Sequence, residues 1–139
     1  MGTGRLTAMR PSGYYASYRG EEFAVGSYGR DADGVEYVDL LVAAAADRFA
    51  ETRSRPDGQP VARVRRDALD RYERVETTGV HDGQTVALWG AGDTVPCTFV
   101  GDPRWAMAHG FAGSQHDGWH GDIPLAEITD IRETTIALP

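Results

Sequence analysis

Histidine and cysteine are the residue types in this sequence that could carry out chemistry. His116 and His120 are four residues apart, a spacing that lets two imidazoles bind one zinc ion from the same face of a helix. Gly118 and Gly121 disfavour a helix in this stretch, because each glycine costs about 1 kcal/mol relative to alanine. No glutamate lies between the two histidines to act as a base. We therefore predict a polar loop over residues 109–122, without a metal ion or any other cofactor.

The single cysteine, Cys97, fits a hydrophobic core better than it fits a nucleophile. It alternates with Val95 and Phe99, so all three side chains are expected on the buried face of one strand. A thiol buried among apolar side chains is inert. The turn at residues 90–92 contains two glycines, but no helix follows it, so it lacks the geometry of a phosphate-binding loop. The sequence therefore predicts a protein without an active site, that is, not an enzyme.

The elements that position these residues are predicted to be mainly β-strands. Residues 14–25 and residues 80–88 each alternate as a hairpin does, with an Arg-Gly turn in the first and an Asp-Gly turn in the second. Residues 69–78 and 128–135 form a second matching pair in the same order. These matches predict a tandem duplication, and two unrelated β segments are the alternative.

The second half of the chain gives the clearer order of elements. A strand over residues 95–100 is followed by Asp102 as a helix N-cap and by a short helix that ends at Gly110. A glycine-rich loop, a 3₁₀ turn within residues 123–128 and a last strand come next. This order is similar to that of a small SH3-like barrel with a helical insertion.

The predicted fold is therefore mainly β with one or two short helices, built from two tandem SH3-like small-barrel repeats that pack together. The predicted divisions are a disordered tail at residues 1–12, a first repeat at residues 13–78 and a second repeat at residues 79–139. Each repeat alone would have a marginal core, which is why the two are expected to pack on each other.

Charge is distributed unevenly along the chain. The formal net charge is −7, but residues 1–76 contain twelve arginines against thirteen acidic residues, whereas residues 77–139 contain two against eight. The second half is therefore unsuited to DNA or anionic lipid and suited to a basic protein.

No apolar stretch reaches about eighteen residues, so we predict a cytoplasmic protein without a membrane partner. The alternative function is a nucleic-acid-binding or regulatory SH3-like module that uses the arginine-rich segment 53–74, although the acidic balance makes nucleic acid a poor partner.

Trp119 carries the strongest indication of a protein interface. It is close in sequence to Asp117, His120 and Asp122 and has no apolar neighbour, a composition typical of an aromatic anchor with a charged rim. The alternative is that Trp119 closes the mouth of a barrel.

Four motifs resemble those of small acidic bacterial immunity proteins, which are encoded beside polymorphic toxins. They are YYASYRGEEF at residues 14–23, VHDGQTV at 80–86, GFAGSQHDGW at 110–119 and IPLAEI at 123–128. The resemblance implies that the protein occupies the basic cleft of a toxin domain with an acidic surface and performs no chemistry of its own. The residues predicted to contact that partner are Asp93, Asp102, His116, Asp117, Trp119, His120 and Asp122.

Overall fold

A computed structural model of the chain describes residues 10–139, and these divide into two compact units. We call residues 13–74 with 136–139 the N-terminal unit, and residues 75–135 with 10–12 the C-terminal unit. The predicted division after residue 78 differs from this one by four residues, since the units divide between Arg74 and Val75.

The N-terminal unit is an antiparallel sheet of short strands. Its strands are β1 (Gly13–Tyr18), β2 (Glu21–Arg30), β3 (Glu36–Leu41), β4 (Arg53–Ser54) and β5 (Pro60–Arg65). They are hydrogen-bonded in the order β4-β5-β3-β2-β1. The predicted hairpin is confirmed, because Arg19 and Gly20 both adopt positive φ angles, 51° and 81°, between β1 and β2. Two 3₁₀ turns follow β3 and β5, at Ala43–Arg48 and Arg66–Ala68.

The C-terminal unit is also built of antiparallel strands and contains one α-helix. Its elements are β6 (Arg71–His81), β7 (Gln84–Leu88), β8 (Thr94–Phe99), the helix α1 (Pro103–Ala108), β9 (Ala112–Ser114), β10 (Gly118–Pro124), a 3₁₀ turn (Leu125–Glu127) and β11 (Thr129–Ala137). The strands are ordered β6-β7-β8-β10-β9, and β11 also pairs with β6. The first four residues of β6 and the last two of β11 belong to the N-terminal unit.

The helix α1 begins and ends as its sequence predicts. The Asp102 carboxylate accepts a hydrogen bond of 2.8 Å from the Arg104 N–H, and Pro103 occupies the first turn. Gly110 ends the helix with a φ of 78°, a conformation that suits glycine. The Phe111 N–H then donates to the Ala106 carbonyl oxygen at 2.9 Å, which folds the chain back over the helix.

The glycine-rich stretch after the helix is a hairpin of β9 and β10, so the predicted loop is wrong here. Glycine serves close packing at two of its positions. A Cβ at Gly121 would lie 2.9 Å from the ring of Phe111, which crosses the strand there. Gly113 has a φ of 128°, and its Cβ would overlap the Gly118 carbonyl oxygen. Glycine at these sites permits a strand and does not interrupt one.

The chain before β1 is ordered where the structure describes it. Arg10 and Ser12 fall within the predicted disordered tail, yet the Thr77 N–H donates to Ser12 Oγ at 2.9 Å. The Arg10 guanidinium donates to the Glu133 carboxylate at 2.9 Å. Residues 1–9 of that predicted tail lie outside the described residues.

The mainly β fold with a short helix is confirmed, and the closed SH3-like barrels are not. The strand orders end at β4 in one unit and at β9 in the other, so the pairing leaves the sheets open. The tandem duplication stays a prediction. A short 3₁₀ turn precedes a long strand twice, at Arg66–Ala68 before β6 and at Leu125–Glu127 before β11.

Each unit has its own hydrophobic core. The core of the C-terminal unit consists of Val86, Leu88, Val95, Cys97, Phe99, Ala106, Phe111, Trp119, Ile123 and Ile128. The core of the N-terminal unit consists of Ala16, Phe23, Val38, Leu40, Val42, Ala45 and Ala62. Within the described part of the chain, the helices are all too short, or too polar, to reach across a membrane.

Candidate functional site

Trp119 is a core residue, so the prediction that it is an exposed anchor is wrong. Only 8% of its surface is exposed, and it belongs to the core of the C-terminal unit. On β10 it pairs with Phe99 of β8, and both side chains lie on the buried face. Asp122, three residues further along β10, points to the opposite face, because successive side chains of a strand alternate between its two faces, and Asp117 lies in the turn before the strand.

The outward face of β10 carries two of the predicted contact residues. His120 pairs with Thr98 of β8, and Asp122 pairs with Pro96. Both His120 and Asp122 are exposed, and they alternate with the inward-facing Trp119.

A different tryptophan, Trp89, stands on this outward face. It is 51% exposed, and it directly follows β7, in which Leu88 points inward. Its main-chain N–H donates to the Pro96 carbonyl oxygen at 2.8 Å, and its indole N–H donates to Thr98 Oγ at 2.7 Å. These bonds fix the ring over the outer surface of β8.

We name the resulting surface the Trp89 face. This surface combines apolar and polar side chains from β8, β10 and the end of β7, which are adjacent strands. Val100, directly after β8, extends the surface, and 87% of the Val100 surface is exposed. Its members are Trp89, Pro96, Thr98, Val100, His120 and Asp122.

The remaining predicted residues lie at the two ends of the Trp89 face. Asp93 is at the end where its carbonyl oxygen accepts a hydrogen bond of 2.8 Å from the Leu125 N–H. His116 and Asp117 occupy the turn before β10, at the other end of that strand. The seven residues of β10 separate these ends by about 23 Å at 3.3 Å per residue. Five members of the predicted set, Asp93, His116, Asp117, His120 and Asp122, are therefore spread along one strand, whereas Trp119 is buried and Asp102 caps α1.

Some carboxylates of the C-terminal unit are neutralised and others are free. Asp102 caps α1 and lies 3.8 Å from Arg104 Nε, and Glu133 is paired with Arg10 at 2.9 Å. Within residues 10–139, five carboxylates of the unit have no cation at ion-pair distance. They are Asp93, Asp117, Asp122, Glu127 and Asp130. Asp122 belongs to the Trp89 face, and Asp93 and Asp117 lie at its ends.

His109 forms the centre of a second polar cluster, which holds α1 in place. His109 Nδ1 lies 2.7 Å from the Trp105 carbonyl oxygen, and its Nε2 lies 2.7 Å from the Asp82 carboxylate. Both neighbours accept hydrogen bonds, so the ring satisfies them only when both nitrogens are protonated. The bond to the Trp105 carbonyl, followed by that to Asp82, raises the pKa of His109 above 6.5. The ring also stacks on Trp105 at 4.1 Å, and neither nitrogen is left to act as a base.

Cys97 is buried as predicted. Burial, reinforced by the charge of Asp122, raises the pKa of its thiol to about 11, so it is not a nucleophile at neutral pH. Over residues 10–139 there is no group of three or more histidine, cysteine or acidic side chains placed to hold a metal ion.

At least three of the seven arginines in the arginine-rich segment 53–74 are paired with carboxylates, and they are Arg55, Arg63 and Arg65. Arg63 binds Asp39 through two hydrogen bonds, of 2.8 and 3.1 Å. Arg65 binds Asp67 in the same two-pronged way. These pairs neutralise part of the cationic surface that a nucleic acid would contact.

The sequence interpretation missed Trp89, although a signal for it was present. Val86 and Leu88 alternate as inward residues of β7, and the same alternation places Trp89 outward with Ala87.

No match to this chain was found among protein-family models, curated proteins or solved structures.

Proposed function

We propose that this chain is a non-catalytic binding protein, an immunity protein that neutralises a cognate bacterial toxin by covering its basic cleft with the Trp89 face. The observation that carries the proposal is the half-exposed Trp89 with unpaired carboxylates at its border. The proposed anchor is Trp89 and not the buried Trp119, and the acidic surroundings are the same.

The chemistry of the Trp89 face suits a protein interface. Tryptophan is enriched among the residues that contribute most to binding, and such residues lie at the centre of a polar rim. Trp89 is held by the hydrogen bond of its indole N–H to Thr98, so little rotational freedom is lost on binding. The strip of about 23 Å along β10 also has the dimension of a standard interface, which buries about 800 Å² on each partner.

The unpaired carboxylates suit a basic partner. Asp122 on β10 and Asp93 at the adjacent turn are both exposed. Acidic groups around a binding surface accelerate the encounter with a cationic protein and discriminate against anionic ones. A toxin that acts on an anionic substrate, such as nucleic acid, has a cleft of this kind.

Two observations support a role without catalysis. Both ring nitrogens of His109 are engaged, and the thiol of Cys97 has a raised pKa of about 11. His109 is thus unsuited to act as a base and Cys97 to act as a nucleophile.

The description of the two units as tandem SH3-like barrels is part of this proposal. It is supported by the tight hairpin in each unit and by the short 3₁₀ turn before β6 and before β11. An experimental structure in which each sheet curls closed would establish it, and two flat open sheets would reject it.

The experiment is a protection assay with the toxin domain encoded beside this chain. Cells that express the toxin are expected to survive when the wild-type chain is co-expressed, and to die when it carries Trp89→Ala or Asp122→Arg. The matched control is Met107→Ala in α1, where another exposed apolar side chain, outside the Trp89 face, is removed.

The outcomes separate the possible functions. Protection by the wild type and by both Trp89-face variants alike would place the interface elsewhere and reject the proposal. A salt-dependent gel shift with RNA or DNA, abolished by Arg66→Gln and Arg71→Gln together, would favour the nucleic-acid alternative.

A further inference from the structure

The N-terminal unit contains a cavity walled by tyrosines that the proposed function does not use. Its volume is about 270 Å³, and four tyrosines and one arginine supply most of its chemistry. They are Tyr14, Tyr28, Tyr37, Tyr72 and Arg66. It shares no residue with the Trp89 face.

The rings are arranged to accept a flat group. Tyr14 is 5.6 Å from Tyr28 in an edge-to-face contact and 6.1 Å from Tyr72, measured between ring centres. Tyr28 is 62% exposed, so its ring forms an accessible side of the cavity. Gly29 lets the Tyr37 ring lie across β2, because a Cβ there would be 2.9 Å from the Tyr37 hydroxyl.

Arg66 supplies a cation that has no counter-charge. Its guanidinium lies 4.4 Å from the centre of the Tyr72 ring, and no carboxylate within residues 10–139 is at ion-pair distance from it. The one side-chain carboxylate in the wall, that of Glu36, is paired with Arg30 at 3.3 Å. Burial raises the pKa of Tyr72, so its hydroxyl stays protonated and able to donate a hydrogen bond.

We infer that this cavity binds a small aromatic anion, whose ring packs against the tyrosines and whose phosphate or carboxylate pairs with Arg66. A cationic ligand is disfavoured, because Arg66 already occupies the face of Tyr72. The size agrees, since about 150 Å³ is enough for a benzene ring and the rest admits the anionic group. Arginine and protonated tyrosine hydroxyls are the donors that such a group requires.

Phenyl phosphate is the probe that tests this inference. Its binding to the full chain is followed by amide NMR chemical shifts, with phenol and inorganic phosphate as separate arms. Phenyl phosphate is expected to bind at least about tenfold more tightly than either fragment and to shift the amides of residues 28–29, 37–38 and 66–72.

Variants establish which groups are responsible. Arg66→Gln and Tyr28→Leu are each expected to weaken phenyl phosphate binding about tenfold or more, whereas the matched control Arg65→Gln is expected to leave it unchanged. Arg65 is a suitable control because it is paired with Asp67 and lies outside the cavity wall. The amide spectrum of each variant verifies that it is folded.

Three results would overturn the inference. They are equal binding of phenyl phosphate and inorganic phosphate, equal binding of phenyl phosphate and phenol, and an Arg66→Gln variant that binds as well as the wild type. None of these bears on the protection assay, which concerns the other unit.

Discussion

Two of the three tryptophans of the C-terminal unit, Trp89 and Trp119, should respond very differently to replacement by alanine. Trp119 is 8% exposed and packs in the core, whereas Trp89 is 51% exposed and makes one side-chain hydrogen bond, to Thr98. Removing a buried tryptophan costs about 3–5 kcal/mol of unfolding free energy. Removing the Trp89 side chain loses one partly exposed hydrogen bond and some packing, about 0.5–1.5 kcal/mol.

These free energies translate into separate melting temperatures. For a chain of this size, about 1 kcal/mol corresponds to roughly 4 °C, so Trp119→Ala should lower the melting temperature by about 10–20 °C and Trp89→Ala by less than about 6 °C. Circular dichroism melts and urea titrations of both variants measure the difference. Trp119→Leu, which retains part of the apolar volume, should fall between the two.

The result that would refute this reasoning is a reversed order. If Trp119→Ala has the melting temperature of the wild type while Trp89→Ala is strongly destabilised, then Trp89 is the core residue. The assignment of Trp119 to the buried face and of Trp89 to the exposed face is then wrong.

Three further predictions concern ionisable groups. Burial opposes the ionisation of Asp39, but the hydrogen bonds of Asp39 to Arg63 and Ser27 outweigh burial and lower its pKa below 3.8. The ionised Asp39 therefore stabilises the fold above pH 3.8, and this stabilisation is lost as the pH falls through the lowered pKa. Asp39→Asn should therefore cost about 1–3 kcal/mol at pH 7 in urea titrations and progressively less as the pH is lowered below 3.8, and a cost that does not fall with pH would contradict the ion pair. The raised pKa of His109 has the opposite effect on stability: the stabilising contribution of His109 is complete below pH 6.5 and is lost as the pH rises through the pKa of the folded protein. NMR titration should therefore give a higher His109 pKa in the wild type than in Asp82→Asn. Cys97 should react with a thiol reagent such as dithionitrobenzoate at pH 8 only after unfolding, and fast reaction of the native protein would contradict its burial.

Local signals in the sequence were sufficient for the turns and caps. A two-residue Arg-Gly or Asp-Gly turn requires positive φ angles, and Asp102 before Pro103 provides an N-cap followed by a first helical residue. Such signals depend only on adjacent residues. Cys97 could also be placed correctly, because its strand alternates without interruption.

The candidate site was harder to predict because its residues depend on distant contacts. Gly121 was interpreted as a loop residue, but it is glycine because the Phe111 ring crosses the strand at that point. With the strand broken there, the alternation that turns Trp119 inward and His120 outward could not be seen. The Tyr72 and Tyr14 rings likewise come together from segments far apart in sequence.

The most direct measurement of the central claim is the dissociation constant of the complex with the proposed partner, a toxin domain with a basic cleft, determined by calorimetry for the wild type and for Trp89→Ala. A tryptophan at the centre of an interface contributes about 2 kcal/mol or more, so the variant should bind roughly thirtyfold more weakly, and wild-type binding should weaken as salt is added. Equal affinities of the wild type and Trp89→Ala, without any dependence on salt, would contradict the account.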